Sequence, residues 1–302
     1  TRCIPGGTLM RKPLTKLARP SGALAMVAVD QREALRGMFA AHQSTPVPDS
    51  QLTQFKVDVA RELSPFASAL LVDQEFGIDA IIDQKALQGG CGLIAAADLL
   101  VGPAGGAATD TAIDPDVDPI RMRDIGSVGL KFLVLWRNDE SPDVRAKLVE
   151  DFNKLCEVSG LPSIIEIIVK PPTDSSRSFN REEELIIAAR EAAAWKPDLY
   201  KAEVPFHGEG DLNLVTKNAE RISEAIGSPW VVLSNGVKQP FFNDAVKACA
   251  MGGASGFLAG RAVWADIVSS PDIPKALREI SIPRLEQLAE IVDTHAKPWS
   301  SW

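Results

Sequence analysis

The sequence predicts an α/β fold, a single-domain (β/α)8 TIM barrel over residues 21–302. Three observations lead there. Eight short runs rich in Val, Ile, Leu and Ala recur along the 302 residues. They lack the polar alternation of a half-exposed sheet, as parallel strands buried on both faces should. Segments of helical pattern separate most of them, and that alternation gives a parallel sheet. No G-x-G-x-x-G follows the first run, which weakens the rival, a doubly wound sheet holding a dinucleotide.

In order, the strand candidates are GALAMVAVD (22–30), ASALLVD (67–73), CGLIAAAD (91–98), GLKFLVLW (129–136), LPSIIEIIV (161–169), DLYKAEV (198–204), PWVVLSNG (229–236) and ASGFLAG (254–260). The segment 141–160 opens with Ser-Pro and closes with Gly, the start and stop of a helix. Residues 180–195 offer Asn180 as an N-cap and acidic side chains in the first turn, where the helix dipole favours them. Segments 211–227 and 239–253 behave likewise, and 273–297 reads as one or two closing helices around Pro283. The stretch GPAGGAATDTAIDPDVDP (102–119) reads as a long loop after the third strand, a candidate flap. No linker divides the chain into domains.

At 45% hydrophobic and 24% charged residues, the composition is that of a globular enzyme. A net charge of -8 argues against nucleic acid or an anionic membrane as the main partner. Basic groups gathered in a pocket can still take an anionic small molecule. Cys3, Cys91, Cys156 and Cys249 lie far apart and form no CxxC pair, so neither a disulfide framework nor a zinc knuckle is expected. Free thiols fit a cytoplasmic location. No apolar run reaches the length of a membrane span. Residues 1–20 are basic without the apolar core of a secretory signal; they are expected to form a loose arm, with Met10 a candidate internal start.

Barrel enzymes carry their chemistry at the C-terminal ends of the strands. The first strand here ends in Asp30-Gln31-Arg32, the second in Asp73-Gln74-Glu75 and the third in Asp98. The fourth carries Lys131 and ends in Trp136-Arg137; the fifth carries Glu166, the sixth Lys201 and Glu203. The seventh ends in Ser234-Asn235-Gly236 and the eighth in Gly260-Arg261. Asp98 reads as an N-cap for a following helix, Glu75 and Arg137 as rim charges. Lys131 and Glu166 interrupt apolar strands, where a charge must have a partner. A structural ion pair accounts for them as well as a catalytic role does.

Together with Lys201, these groups stand on three consecutive strands, which a closed barrel brings to one interior space. A desolvated lysine beside another cation loses its proton more easily, and a neutral amine attacks a carbonyl to form a Schiff base. The iminium then draws electrons from a C–C bond while Glu166 carries the proton. A metal-dependent version needs clustered ligands, and His42, His207 and His295 are scattered, so no metal or cofactor is expected. At the ends of strands seven and eight, where barrels often hold phosphate, SNGV (234–237) and GASGFLAGRAVW (253–264) offer glycines, a helix N-terminus, Ser234 and Arg261.

The motifs AVDQRE, LVDQ, LVLWRNDE, SIIE, DLYKAEVP and ASGFLAGRAVW together resemble the class I aldolase family that contains tagatose-1,6-bisphosphate aldolase, over about Ser21 to Asp293. The likeness is greatest toward the sulfofructosephosphate aldolases. It implies a barrel that cleaves a ketose 1-phosphate, first of all 6-deoxy-6-sulfofructose 1-phosphate, to dihydroxyacetone phosphate and an aldehyde, here 3-sulfolactaldehyde. A tagatose 1,6-bisphosphate substrate is the alternative. The resemblance makes Lys201 the Schiff-base lysine, Glu166 the proton carrier and Lys131 the second active-site lysine. It makes Asp30 and Gln31 substrate contacts, and Ser234 and Arg261 the phosphate grip. Arg32, Gln74, Asn235, Gly236 and Gly260, at the same strand ends, complete the expected substrate shell. It also implies a homo-oligomer. Strand seven departs from the pattern, ending LSNGV in place of LSSGV. The loop KPPTDSSRSFNREEE (170–184) has no counterpart in it and is assigned to the border of the substrate's distal end. The distal group is therefore open: a sulfonate, a second phosphate or something uncharged.

Two other functions fit a barrel with a phosphate site. A sugar-phosphate sensor needs that site but not the trio of Lys201, Glu166 and Lys131. An isomerase or epimerase would use Glu166 as base and give an isomer in place of cleavage.

Overall fold

The computed structural model describes residues 11–302. All eight expected strands form: β1 (Leu24–Ala28), β2 (Ala69–Val72), β3 (Gly92–Ala96), β6 (Ser127–Trp136), β7 (Ser163–Val169), β8 (Leu199–Glu203), β9 (Trp230–Leu233) and β10 (Gly256–Ala259). They close into a parallel barrel in the order β1-β10-β9-β8-β7-β6-β3-β2. The remaining pair, β4 (Asp98–Val101) and β5 (Asp110–Ile113), forms a separate antiparallel hairpin.

The apolar runs are continuous because both faces of each strand are covered. Along β1, Leu24 and Met26 point into the barrel, whereas Ala25 and Val27 pack outward against the helices. The period of two is strict, so a polar residue two or four positions beyond an inward Leu or Ala also faces the interior. That parity is what carries Asp30, Asp98, Lys131, Glu166 and Lys201 inside.

The helices are α1 (Glu33–Ala40), α2 (Asp49–Leu63), α3 (Asp79–Asp83), α4 (Pro119–Asp124), α5 (Pro142–Ser159), α6 (Arg181–Ala194), α7 (Leu212–Ile226), α8 (Gln239–Met251), α9 (Arg261–Trp264), α10 (Ile273–Ala276) and α11 (Ile282–His295). The expected caps are in place. Ser141 accepts from the Asp143 N–H, Asn180 from Glu182 and Asp211 from Asn213. Gly160 and Gly227 end α5 and α7 in the left-handed conformation. The closing segment is two helices joined by a wide turn over Leu277–Ser281, with Pro283 in the first turn of α11, where its missing N–H costs nothing.

Three sequence expectations are corrected. The stretch 102–119 is not a structureless loop: it holds the return strand of the β4–β5 hairpin and leads into α4, capped by Asp118. Asp98 is no N-cap. It begins β4 with its carboxylate turned inward, because after Ala97 the chain runs on into a second strand and not a helix. Residues 11–20 are not a loose arm. Leu14 and Leu17 are fully buried against the barrel's N-terminal end, beside Leu24 and Leu199. The Lys12 ammonium donates to the carbonyls of Cys156 and Leu161 at 3.0 and 2.9 Å. Residues 1–10, with Cys3 and Met10, lie outside the described residues. Cys91, Cys156 and Cys249 are buried free thiols. Among the described residues, no helix is long and apolar enough to cross a membrane.

Candidate active site

A cleft opens at the C-terminal end of the barrel, and the inward charges lie at its floor. Lys131 on β6 is the hub. Its Nζ lies 2.9 Å from Asp30 Oδ2, from Asp98 Oδ2 and from Glu166 Oε2. Lys201 on β8 approaches the same Glu166 oxygen, also at 2.9 Å. The β7–β8 register puts Glu166 directly beside Lys201, so the contact follows from strand pairing. One carboxylate oxygen thus sits between two ammonium groups.

All five side chains are buried. Burial alone would raise the Glu166 and Asp30 carboxyls, but the charges of Lys131 and Lys201 outweigh it and hold both below the usual range. Burial alone would lower Lys131. Asp30, Asp98 and Glu166 overcome it and hold this ammonium well above its ordinary value. Lys131 is a fixed cation. The repulsion between two bare lysines that the sequence suggested is instead shared out over three carboxylates.

Further hydrogen bonds fix this cluster. Asp98 Oδ2 also accepts from the Leu133 N–H at 3.0 Å, and Asp98 Oδ1 faces Arg32 Nη2 at 3.5 Å. Lys56, buried on α2, donates to the carbonyls of Val29 and Gln31 at 2.7 and 2.8 Å, the two residues flanking Asp30, and pairs with Asp73. On the opposite side, Arg261 Nη2 donates to Asn235 Oδ1 at 2.6 Å, and Asn235 Nδ2 to Glu203 Oε1 at 3.2 Å. Glu203 Oε1 lies 3.3 Å from Arg181 Nη2, and its Oε2 accepts from the Val169 N–H at 2.8 Å. This brace ties the ends of β7, β8, β9 and β10 together around Lys201.

Of the expected residues, Lys201, Glu166, Lys131, Asp30, Gln31, Ser234, Asn235, Gly260 and Arg261 line the cleft. Gly260 must be glycine, because a Cβ there would lie 2.4 Å from the Ala28 carbonyl oxygen. Three expected contacts fall outside. Arg32 is buried behind the floor, between Asp98 and Glu75, where it balances inward carboxylates. Gln74 turns away after β2 and donates to the Asp116 carbonyl at 3.2 Å. Gly236 turns the chain with φ +76°, its Cα against the His207 ring. Two residues were missed as site groups. Asp98 was assigned elsewhere, although its place two positions beyond inward Ala96 signals an inward side chain. Lys170, one residue past β7, also lines the cleft.

The arrangement can present a lysine amine to a carbonyl, with a carboxylate in contact to exchange protons and a permanent cation beside it. A family model for DeoC/LacD family aldolases matches residues 24–266. The chain is 29% identical, over an alignment 326 positions long, to tagatose 1,6-diphosphate aldolase 2 of Streptococcus pyogenes, covering 96% of each. It is 28% identical over 324 to the tagatose 1,6-diphosphate aldolase of Lactococcus lactis subsp. lactis, covering 96% of this chain and 97% of that one. Among solved structures, a fructose-bisphosphate aldolase from Plasmodium falciparum matches with a TM-score of 0.66 at 13% identity, over 93% of both chains. An archaeal fructose 1,6-bisphosphate aldolase matches with 0.61 at 15%, over 93% of this chain and 98% of that one. At such identities the structural likeness speaks to the fold.

Proposed function

Since the chain belongs to the DeoC/LacD family of aldolases and is a class I carbon–carbon lyase, we propose that it cleaves a ketose 1,6-bisphosphate through a Schiff base on Lys201. The observation that carries the reading is the single Glu166 oxygen within 2.9 Å of both lysine nitrogens. Attack needs the free amine, and Glu166 is the base in contact with it. Lys201 Nζ adds to the C2 carbonyl, and loss of water gives the iminium. The C4 hydroxyl proton passes to Glu166 as the C3–C4 bond breaks. The bonding pair moves into the iminium to give an enamine, and the aldehyde leaves. Glu166 then returns the proton to C3, and water releases dihydroxyacetone phosphate.

Lys131 has a separate task in this scheme. As a fixed cation beside the reacting atoms, it stabilises developing negative oxygen and keeps Glu166 from rising while Lys201 is neutral. Ser234, Gly260 and Arg261 are assigned to the 1-phosphate, and Asp30 and Gln31 to the sugar hydroxyls.

The relatives named above are tagatose 1,6-diphosphate aldolases, so a ketose 1,6-bisphosphate is placed ahead of the 6-deoxy-6-sulfofructose 1-phosphate suggested by the motifs. The test is borohydride reduction in the presence of dihydroxyacetone phosphate, followed by intact mass and peptide mapping. A covalent adduct on Lys201 is expected, and Lys201→Ala should lose both adduct and cleavage while keeping its fold. Turnover retained in that variant ends the Schiff-base reading. Product analysis separates it from an isomerase, which would leave the carbon chain whole.

A further inference from the structure

The cleft has a cation that the scheme above leaves without work. Among the described residues four basic ones line it, Lys131, Lys170, Lys201 and Arg261, against two carboxylates, Asp30 and Glu166. Lys131 and Lys201 are engaged with carboxylates, and Arg261 with Asn235. Lys170 is half-buried, and among the described residues its ammonium pairs with no carboxylate.

Its placement is not that of a loose rim charge. The Lys170 N–H donates to the Trp136 carbonyl at 2.8 Å and so extends the β6–β7 ladder by one residue. Pro171 and Pro172 follow and stiffen the exit. The turn beyond is pinned by Asp139, whose Oδ2 accepts from the N–H groups of Thr173 and Asp174 at 2.7 and 2.9 Å and from the Thr173 hydroxyl at 2.6 Å. The backbone is fixed, and the side chain lies beside Leu135 and Ile168 at the wall of the cleft.

In the barrel order, β8 and β9 stand between β7 and β10. A substrate held by Arg261 at the β10 end and bonded to Lys201 on β8 therefore runs on toward β7, where Lys170 waits above Glu166. We propose that Lys170 is the specificity residue for an anionic group at the far end of the substrate, a second phosphate or a sulfonate. The inference rests on the Schiff-base reading above, because Lys201 sets where the chain of the sugar must pass.

The test compares wild type with Lys170→Met and Lys170→Arg on three substrates. These are a ketose 1,6-bisphosphate, the matching ketose 1-phosphate with a free terminal hydroxyl, and 6-deoxy-6-sulfofructose 1-phosphate. Lys170→Met should lower kcat/KM for an anion-ended substrate about 10- to 100-fold more than for the 1-phosphate, through KM, and Lys170→Arg should restore most of it. The two anions are told apart by wild type, which should prefer one of them over the hydroxyl-ended sugar. Measured against the 1-phosphate, whose own phosphate titrates in every arm, only the bisphosphate should weaken further below about pH 6, where its second phosphate loses a charge. Equal losses on all three substrates, or none, overturn the role of Lys170 alone. A wild-type protein that gives no borohydride adduct and cleaves none of them removes the Schiff-base reading and this inference together.

Discussion

Glu166 is asked to do two things with one oxygen: exchange protons with Lys201 and the substrate, and return each time to a carboxylate beside Lys131. Glu166→Gln keeps the shape and the lysines but loses the base. It should still allow slow adduct formation with dihydroxyacetone phosphate, while steady-state cleavage falls about 10²- to 10⁴-fold. Comparable losses in trapping and in turnover would mean that Glu166 serves only to seat Lys201. The same pair of proteins tests the electrostatics. The Glu166 and Asp30 carboxyls are lowered in the fold, so the stability they add is present above their unfolded values, near pH 4, and disappears as pH falls through the folded ones. Lys131 is raised, so its share is complete below about pH 10 and is lost only above that. The gap in thermal midpoint between wild type and Glu166→Gln should be flat from about pH 5 to 9 and shrink in acid. A gap that grows in acid contradicts these directions. The sequence exposed Lys131, Glu166 and Lys201 because a charge inside an apolar run has no cheap explanation. It hid Asp98 and Lys170, which stand just past their runs, where a cap or a rim charge is the commoner case.

The β4–β5 hairpin is the element least visible beforehand, and the one that roofs the cleft. Its strands have four residues each, too short to stand alone as a pair. The Gly, Pro, Ala and Thr residues between them look like loop. What holds it is tertiary: Asp98 anchored to Lys131 at its root, and its tip resting on α1. There the Gly105 N–H donates to Glu33 Oε2 at 3.0 Å, and the backbones of Gly37 and Gly105 nearly touch. Ala107 and Ala108 of the tip line the cleft. A Cβ on Gly37 would lie 2.1 Å from the Gly105 carbonyl oxygen. Gly37→Ala should therefore lift the tip while favouring α1 by up to about 1 kcal/mol of helix propensity. The expected result is faster amide exchange over 103–109 and a several-fold higher KM, with the thermal midpoint held or raised. Unchanged exchange and KM would show that the tip is seated by something other than this contact. The eight barrel strands and the helices α5 to α8 were readable because burial on two faces and capping leave marks in single residues. Short pieces held by distant partners leave none.

Across the whole molecule, chemistry and closure occupy opposite ends of the barrel. The N-terminal mouth is stoppered by Leu14 and Leu17 from one end of the described chain and by Trp299 from the other. The two segments meet where the Trp299 N–H donates to the Gly22 carbonyl at 3.1 Å; the Trp302 indole donates to Ser255 Oγ, just before β10, at 3.1 Å. The basic character of 11–20 masked this, since two leucines among lysines, arginines and prolines do not announce a plug. Leu17→Ala should cost about 2–5 kcal/mol, as for a fully buried leucine, and leave KM close to wild type, because nothing at the catalytic end moves. A stability loss under about 1 kcal/mol would mean that the mouth closes adequately without it. Because the seam between the two segments faces away from the cleft, it also decides how the molecule can be handled. Coupled to a bead, a neighbouring enzyme or a scaffold through the exposed Lys16 on this end, the protein would point its open face outward, into the stream of substrate.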